Sequence, residues 1–200
     1  MNTTSIFVEL LVIGFHTLTW IGLLIITIIG HKSTDLEKFL SINLALPILA
    51  MTYVLGVAID RLSDMVFLPC DHRLRDKEKL KAFPEFLIMR FYILGKSKDI
   101  YAQLEYTRSR LRIMRAATLN FVALSVVSTF FVWFQLGNVF SFQTRVATCI
   151  LVLVVGGLLA YISYKSWVVL TKTYIKNTIA AYRVLQDITL TNSKKNPKQE

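Results

Sequence analysis

Between Glu105 and Leu136 the chain reads EYTRSRLRIMRAATLNFVALSVVSTFFVWFQL. Four arginines and one carboxylate occupy the first eleven positions, and none of the 21 residues from Ala116 to Leu136 is charged. Crossing about 30 Å of hydrocarbon takes roughly 20 apolar residues, and Lys and Arg at a span's edge are retained in the cytoplasm. The stretch therefore reads as a transmembrane helix whose cytoplasmic end is marked by arginine. With no proline or glycine from Ser97 to Leu136, the helix is expected to begin near Ser97 to Asp99 and run unbroken for about 38 residues, or about 57 Å.

Three more stretches are long and apolar enough to span: Ile6 to Ile29, with Glu9 near its inner end within reach of the headgroups, Phe39 to Ile59 and Val146 to Tyr164. They give the 200-residue chain 54% apolar content and a mean hydropathy of +0.51. The first lacks a basic leading segment and an A-x-A-type site, and it is long for a signal peptide, so it is read as a mature helix. The expected class is all-α, a four-span transmembrane bundle with long cytoplasmic extensions of the third and fourth helices. Its segments are a first hairpin over 1–70, a basic helical segment over 71–115, a second hairpin over 116–164, a cytoplasmic helix over 165–190 and a disordered tail over 191–200.

Charge sets the expected orientation. Of 23 Lys and Arg residues, 12 lie from Asp71 to Arg115, seven lie from Lys165 onward and Arg61 ends the second span, leaving Lys32, Lys38 and Arg145 for the opposite side. Both termini and the long middle loop are thus assigned to the cytoplasm, with the protein in the cell membrane. The formal charge of +10 follows from this bias and from attraction to anionic headgroups, with no need of nucleic acid.

Several residues interrupt the apolar runs. His16 stands near the middle of the first span and Asn43 in the second, which makes them candidates for an intramembrane polar path, although a hydrogen-bonded helix contact explains His16 equally well. Pro47 is expected to bend the second span, and that helix is expected to stop near Leu68 and Pro69. Gly156 and Ala160 have the small-xxx-small spacing of a close helix contact. The segment from Ala82 to Leu94 is too short to span and reads as an interfacial or packing helix, with near-continuous apolarity favouring packing against protein.

Chemistry is sparse. Gly95-Lys96-Ser97 lacks the earlier glycine of a phosphate loop, since Arg90 occupies that position, and reads as a helix end followed by a capping serine. Cys70-Asp71-His72 is at most a fragment of a metal or nucleophile site. No catalytic, metal or cofactor site is assigned, and enzyme activity is not expected.

One constellation stands out. Asp60 and Asp64 share a helix face with Gly56, while Arg108, Arg112 and Arg115 share a face of the third helix at a similar depth. Arginine's planar fork grips carboxylates in pairs. Three readings stay open: headgroup anchors, an ionic clamp between the second and third spans, or a ligand or gating site. The expected function is a homo-oligomeric membrane sensing or assembly subunit that presents a basic cytoplasmic surface to a protein partner. A small channel is the alternative, and an integral-membrane enzyme comes third. The four-span layout and length resemble membrane subunits of some bacterial stress and anti-phage systems, a likeness of layout without a shared motif, and no family is assigned.

Overall fold

The structure, a computed structural model, describes residues 3–30, 45–77, 86–137 and 139–195. Among them the chain forms five helices: α1 (Thr3–Ile29), α2 (Ala45–Lys77), α3 (Phe86–Lys96), α4 (Lys98–Gln135) and α5 (Phe142–Lys195). The class is all-α, and all but α3 are long and apolar enough to cross a membrane. Two compact units divide the chain. A span unit combines Asn2–Val66 with Arg112–Trp167, and a second unit combines Phe67–Leu111 with Val168–Glu200.

In the span unit, glycine sets how closely helices approach. A Cβ on Gly14 would lie 1.8 Å from the Thr52 carbonyl oxygen, and one on Gly56 would lie 2.0 Å from that of Leu10. The two backbones therefore touch at two points one turn apart, which runs α1 and α2 antiparallel. Lipid supplies no hydrophobic drive between helices, so this approach gains its energy from dispersion, and a methyl group would prevent it. The α4 and α5 pair repeats the device once, because a Cβ on Gly156 would stand 2.3 Å from Ser125 Cβ. Ala160, one turn on, is buried.

Polar ties fix α1 against α4. Asn120 accepts hydrogen bonds from Thr17 Oγ1 at 3.2 Å and Trp20 Nε1 at 3.1 Å, and donates to the Ile13 carbonyl at 3.3 Å. Gln135 Nε2 donates to the Thr27 carbonyl at 2.7 Å. The positions increase together along both helices, so α1 and α4 run parallel while α2 and α5 return against them. The large apolar side chains left exposed, such as Ile150, Leu151, Val154 and Leu158, are those a bilayer would cover.

The second unit has its own core. Ile93, Leu104 and Tyr174 form its centre, with Phe86, Tyr101, Leu111, Tyr182 and Leu185 packed around them. Met89 and Ile93 of α3 are fully buried. Arg90 bonds Tyr101 at 3.2 Å and pairs with Glu105, while Tyr92 contacts Thr189 through its hydroxyl at 3.1 Å. Burial works against the charge on Arg90, yet Tyr174, Glu105 and Tyr101 offset it and raise its pKa above the ordinary value. The guanidinium stays charged at every accessible pH and holds α3 on α4. The side chain of Ser97 caps α4 through the Ile100 N–H at 3.4 Å.

Two expectations need correction. α2 does not stop at Pro69 but carries it inside and continues to Lys77. Pro69 is exposed, on the side where surrounding groups can serve the carbonyl that its missing N–H leaves without a helical partner. Pro47 lies in the first described turn of α2, so the expected bend there falls at the edge of the described residues. Residues 191–195, expected in the tail, belong to α5, and 196–200 lie outside the described residues. The part of the second span before Ala45, Asn43 included, lies outside the described residues.

The glycine contacts give a paired test. Gly56→Ala should lower the thermal midpoint in mild detergent by an amount corresponding to about 1 to 3 kcal/mol of overpacking. Gly157→Ala, where a Cβ meets nothing within 4 Å, should be neutral or slightly stabilising. Equal midpoints for the two variants would mean that the α1 and α2 backbones do not touch at Gly56.

Candidate functional site

The acidic and basic stripes meet in the span unit. On α2, Asp60 and Ser63 are buried a turn apart, and Asp64 stands beside them with a side chain 46% exposed. α4 brings Arg112 and Arg115, three residues apart and so on one face. Arg112 grips Asp60 with two nitrogens, Nη2 to Oδ2 at 2.7 Å and Nε to Oδ1 at 3.3 Å. Arg115 donates from Nη2 to Asp60 Oδ1 at 3.5 Å and from Nε to Ser63 Oγ at 3.3 Å, and its Nη1 reaches Asp64 Oδ1 at 2.5 Å. The hydroxyl of Ser63 donates in turn to the Asp60 carbonyl at 2.8 Å.

A third helix joins them. Glu9 of α1, only 5% exposed, places Oε2 at 3.8 Å from Arg112 Nη1. Three carboxylates thus surround two guanidinium groups, and α1, α2 and α4 converge on one buried network. Ions taken from water carry a desolvation penalty of several kcal/mol each, and this penalty is offset only when their hydrogen-bonding capacity is filled. The fork of Arg112 on Asp60 is that kind of contact. Asp64, half in contact with the surroundings, is a weaker member.

Other singled-out residues lie elsewhere. Arg108 contacts Glu105 at 3.7 Å, one turn away on its own helix, and belongs to the second unit rather than to this cluster. His16 is exposed on α1, with Nδ1 3.2 Å from the Val12 carbonyl and its ring edge-on to Phe121 at 5.8 Å. It therefore does not point into the interior of a single copy. The buried polar centre of the span unit is Asn120, 2% exposed, which the sequence reading did not single out. Its signal was present as a carboxamide in the interior of the charge-free run from Ala116 to Leu136. Glu9 stands near the inner end of its span, within reach of headgroups, and nothing in its local sequence identifies Arg112 as its neighbour.

As chemistry, the network joins three helices through arginine–carboxylate contacts, with the Ser63 hydroxyl bonded to Arg115. No protein-family model, curated protein or solved structure matches the chain.

Removing one member of a buried pair leaves the other uncompensated, so Asp60→Asn and Arg112→Gln should each destabilise by about 3 to 5 kcal/mol. Asp64→Asn should cost about 0 to 1 kcal/mol. A double-mutant cycle on Asp60 and Arg112, read as detergent unfolding with membrane insertion scored separately, should show strong coupling. Small additive effects would assign these residues to independent headgroup anchoring.

Proposed function

We propose that this chain is a multi-pass sensing or assembly subunit of the cell membrane, with both termini cytoplasmic, that self-associates through its spans and offers a basic surface to a cytoplasmic protein partner. The carrying observation is how charge divides between the units. The second unit contains 16 Lys and Arg against eight Asp and Glu, so it holds +8 of the net +10, and it has a core of its own. Basic residues are retained in the cytoplasm, which gives that unit its side of the membrane. A folded, strongly basic module attached to an apolar bundle suits recruitment of an acidic partner, since charge steers encounter and fixes register.

Self-association draws support from the outer face of the span unit. An ionisable side chain at mid-span normally faces protein or a water-filled cavity, yet His16 is exposed on a single copy. Next to its contact residue Phe121 runs an apolar groove of about 340 Å³ between α4 and α5, lined in part by Ser125, Ser128 and Gly156. A second copy seated on this face would cover both features.

Orientation is tested with single cysteines after Cys70 and Cys149 are replaced by serine. A cysteine at Ser141 should react with an impermeant thiol reagent in intact cells, and one at Ser97 should be protected until the cells are opened. The reverse pattern would remove the basic unit from the cytoplasm and end this reading.

A small channel is the second reading, and His16 favours it as well, because a pore between copies would be lined by the faces that are exposed on one copy. Purified protein in a planar bilayer should show no conductance if the subunit is an assembly module. Unitary currents altered by His16→Leu would replace that reading with the channel.

A further inference from the structure

α3 has two apolar faces and uses one. Met89 and Ile93 are buried against α4 and α5, while Leu87, Ile88, Phe91 and Leu94 are 57%, 54%, 63% and 39% exposed. These four fall at i, i+1, i+4 and i+7, which aligns them along the helix side opposite Met89. At 11 residues α3 is about 16 Å long and cannot cross a bilayer.

Cations stand at both ends of the stripe. At its start the guanidinium of Arg75 lies over the Phe86 ring, 5.4 Å from the centroid, and at its end Lys96 and Lys98 are exposed. Gly95 borders the stripe with open space around it, leaving room for a close approach.

We infer that the outer face of α3 is a docking site for an acidic amphipathic helix of a protein partner. The partner's apolar side would cover Leu87, Ile88, Phe91 and Leu94, and its carboxylates would meet Lys96 and Lys98 at the end of the stripe, since Arg75 at the start is already paired with Asp71 at 2.7 Å. Anchors at i, i+4 and i+7 are the spacing by which one helix lies on another. A second copy docked face to face would meet this stripe with the same Lys96 and Lys98 rather than with carboxylates. A lipid surface also fits less well, because an interfacial helix carries its basic residues along a polar face, whereas the face of α3 behind the stripe is packed on protein.

This inference rests on the partner-facing role proposed for the second unit, so the experiment separates the two. The full chain is placed in phosphatidylcholine nanodiscs and titrated with a fluorescent leucine–glutamate amphipathic peptide, its lysine counterpart and a scrambled leucine–glutamate control. The acidic peptide should bind and the other two should not. The double variants Leu87→Ser/Phe91→Ser and Lys96→Glu/Lys98→Glu should each weaken binding by about tenfold or more while keeping wild-type helicity and thermal midpoint. Equal binding of the acidic peptide and its scramble would overturn the inference. Loss on Lys172→Glu/Lys176→Glu, with the α3 variants unaffected, would move the site elsewhere on the basic unit and leave the partner reading standing. Absence of binding to every peptide by the wild-type chain would end the inference, and failure of the full chain to retain any acidic cytoplasmic protein would then remove the partner reading too. Finally, a bimane on Phe91→Cys, with Cys70 and Cys149 replaced, should not be quenched by brominated acyl chains. Quenching would assign the stripe to lipid instead.

Discussion

Two arginines on one helix hold carboxylates from two others, and the arrangement of the span unit depends on that contact. Lipid gives the helices no reason to associate through apolar surface alone, so specificity must come from close packing and from polar groups that cannot be left exposed. The fork of Arg112 on Asp60 joins α4 to α2, and the approach of Glu9 to the same arginine adds α1. A slide of any one of these helices by a turn would strand an ion in a poorly solvated setting. The glycine contacts at Gly14 and Gly56 then set how near α1 and α2 stand, and Asn120 ties α1 to α4 farther along.

The two units are stabilised by different physics, which follows from their composition. In the span unit the buried positions are rich in small and polar residues, with Thr17, Thr52, Ser63, Ser125 and Ser163 all inside. In the second unit the core is aromatic and aliphatic, built on Ile93, Leu104 and Tyr174, and a buried ion pair, Arg90 with Glu105, fastens the short α3 in place. A core of that kind draws its stability from hydrophobic burial and needs no membrane. The contrast is what allows the basic charge to be gathered on a module distinct from the bundle.

The parts legible in the sequence were those written in long runs. Apolar stretches of span length located four long helices, and the absence of any helix breaker after Ser97 anticipated the 38 residues of α4. Gly156 was legible because it forms a spaced pair with Ala160, whereas Gly14 has no small neighbour at that spacing and announces itself only when the facing helix is present. Arg108 misled for a related reason. Helical spacing puts it on the face of Arg112 and Arg115, but Glu105, one turn back on the same helix, is the carboxylate it meets. Pro69 shows the limit of a local rule, since a proline on the exposed side of a long helix can be carried through.

The central claim is that Arg112 acts through the geometry of its guanidinium, not merely through its charge. The most direct measurement is the unfolding midpoint of Arg112→Lys in the same detergent as the wild type. Lysine keeps the positive charge but offers a single ammonium in place of the planar fork that spans both oxygens of Asp60. If the clamp is real, the lysine variant should fall most of the way to Arg112→Gln. A midpoint equal to that of the wild type would contradict it, because a residue that only anchors a helix end at the headgroups tolerates either cation.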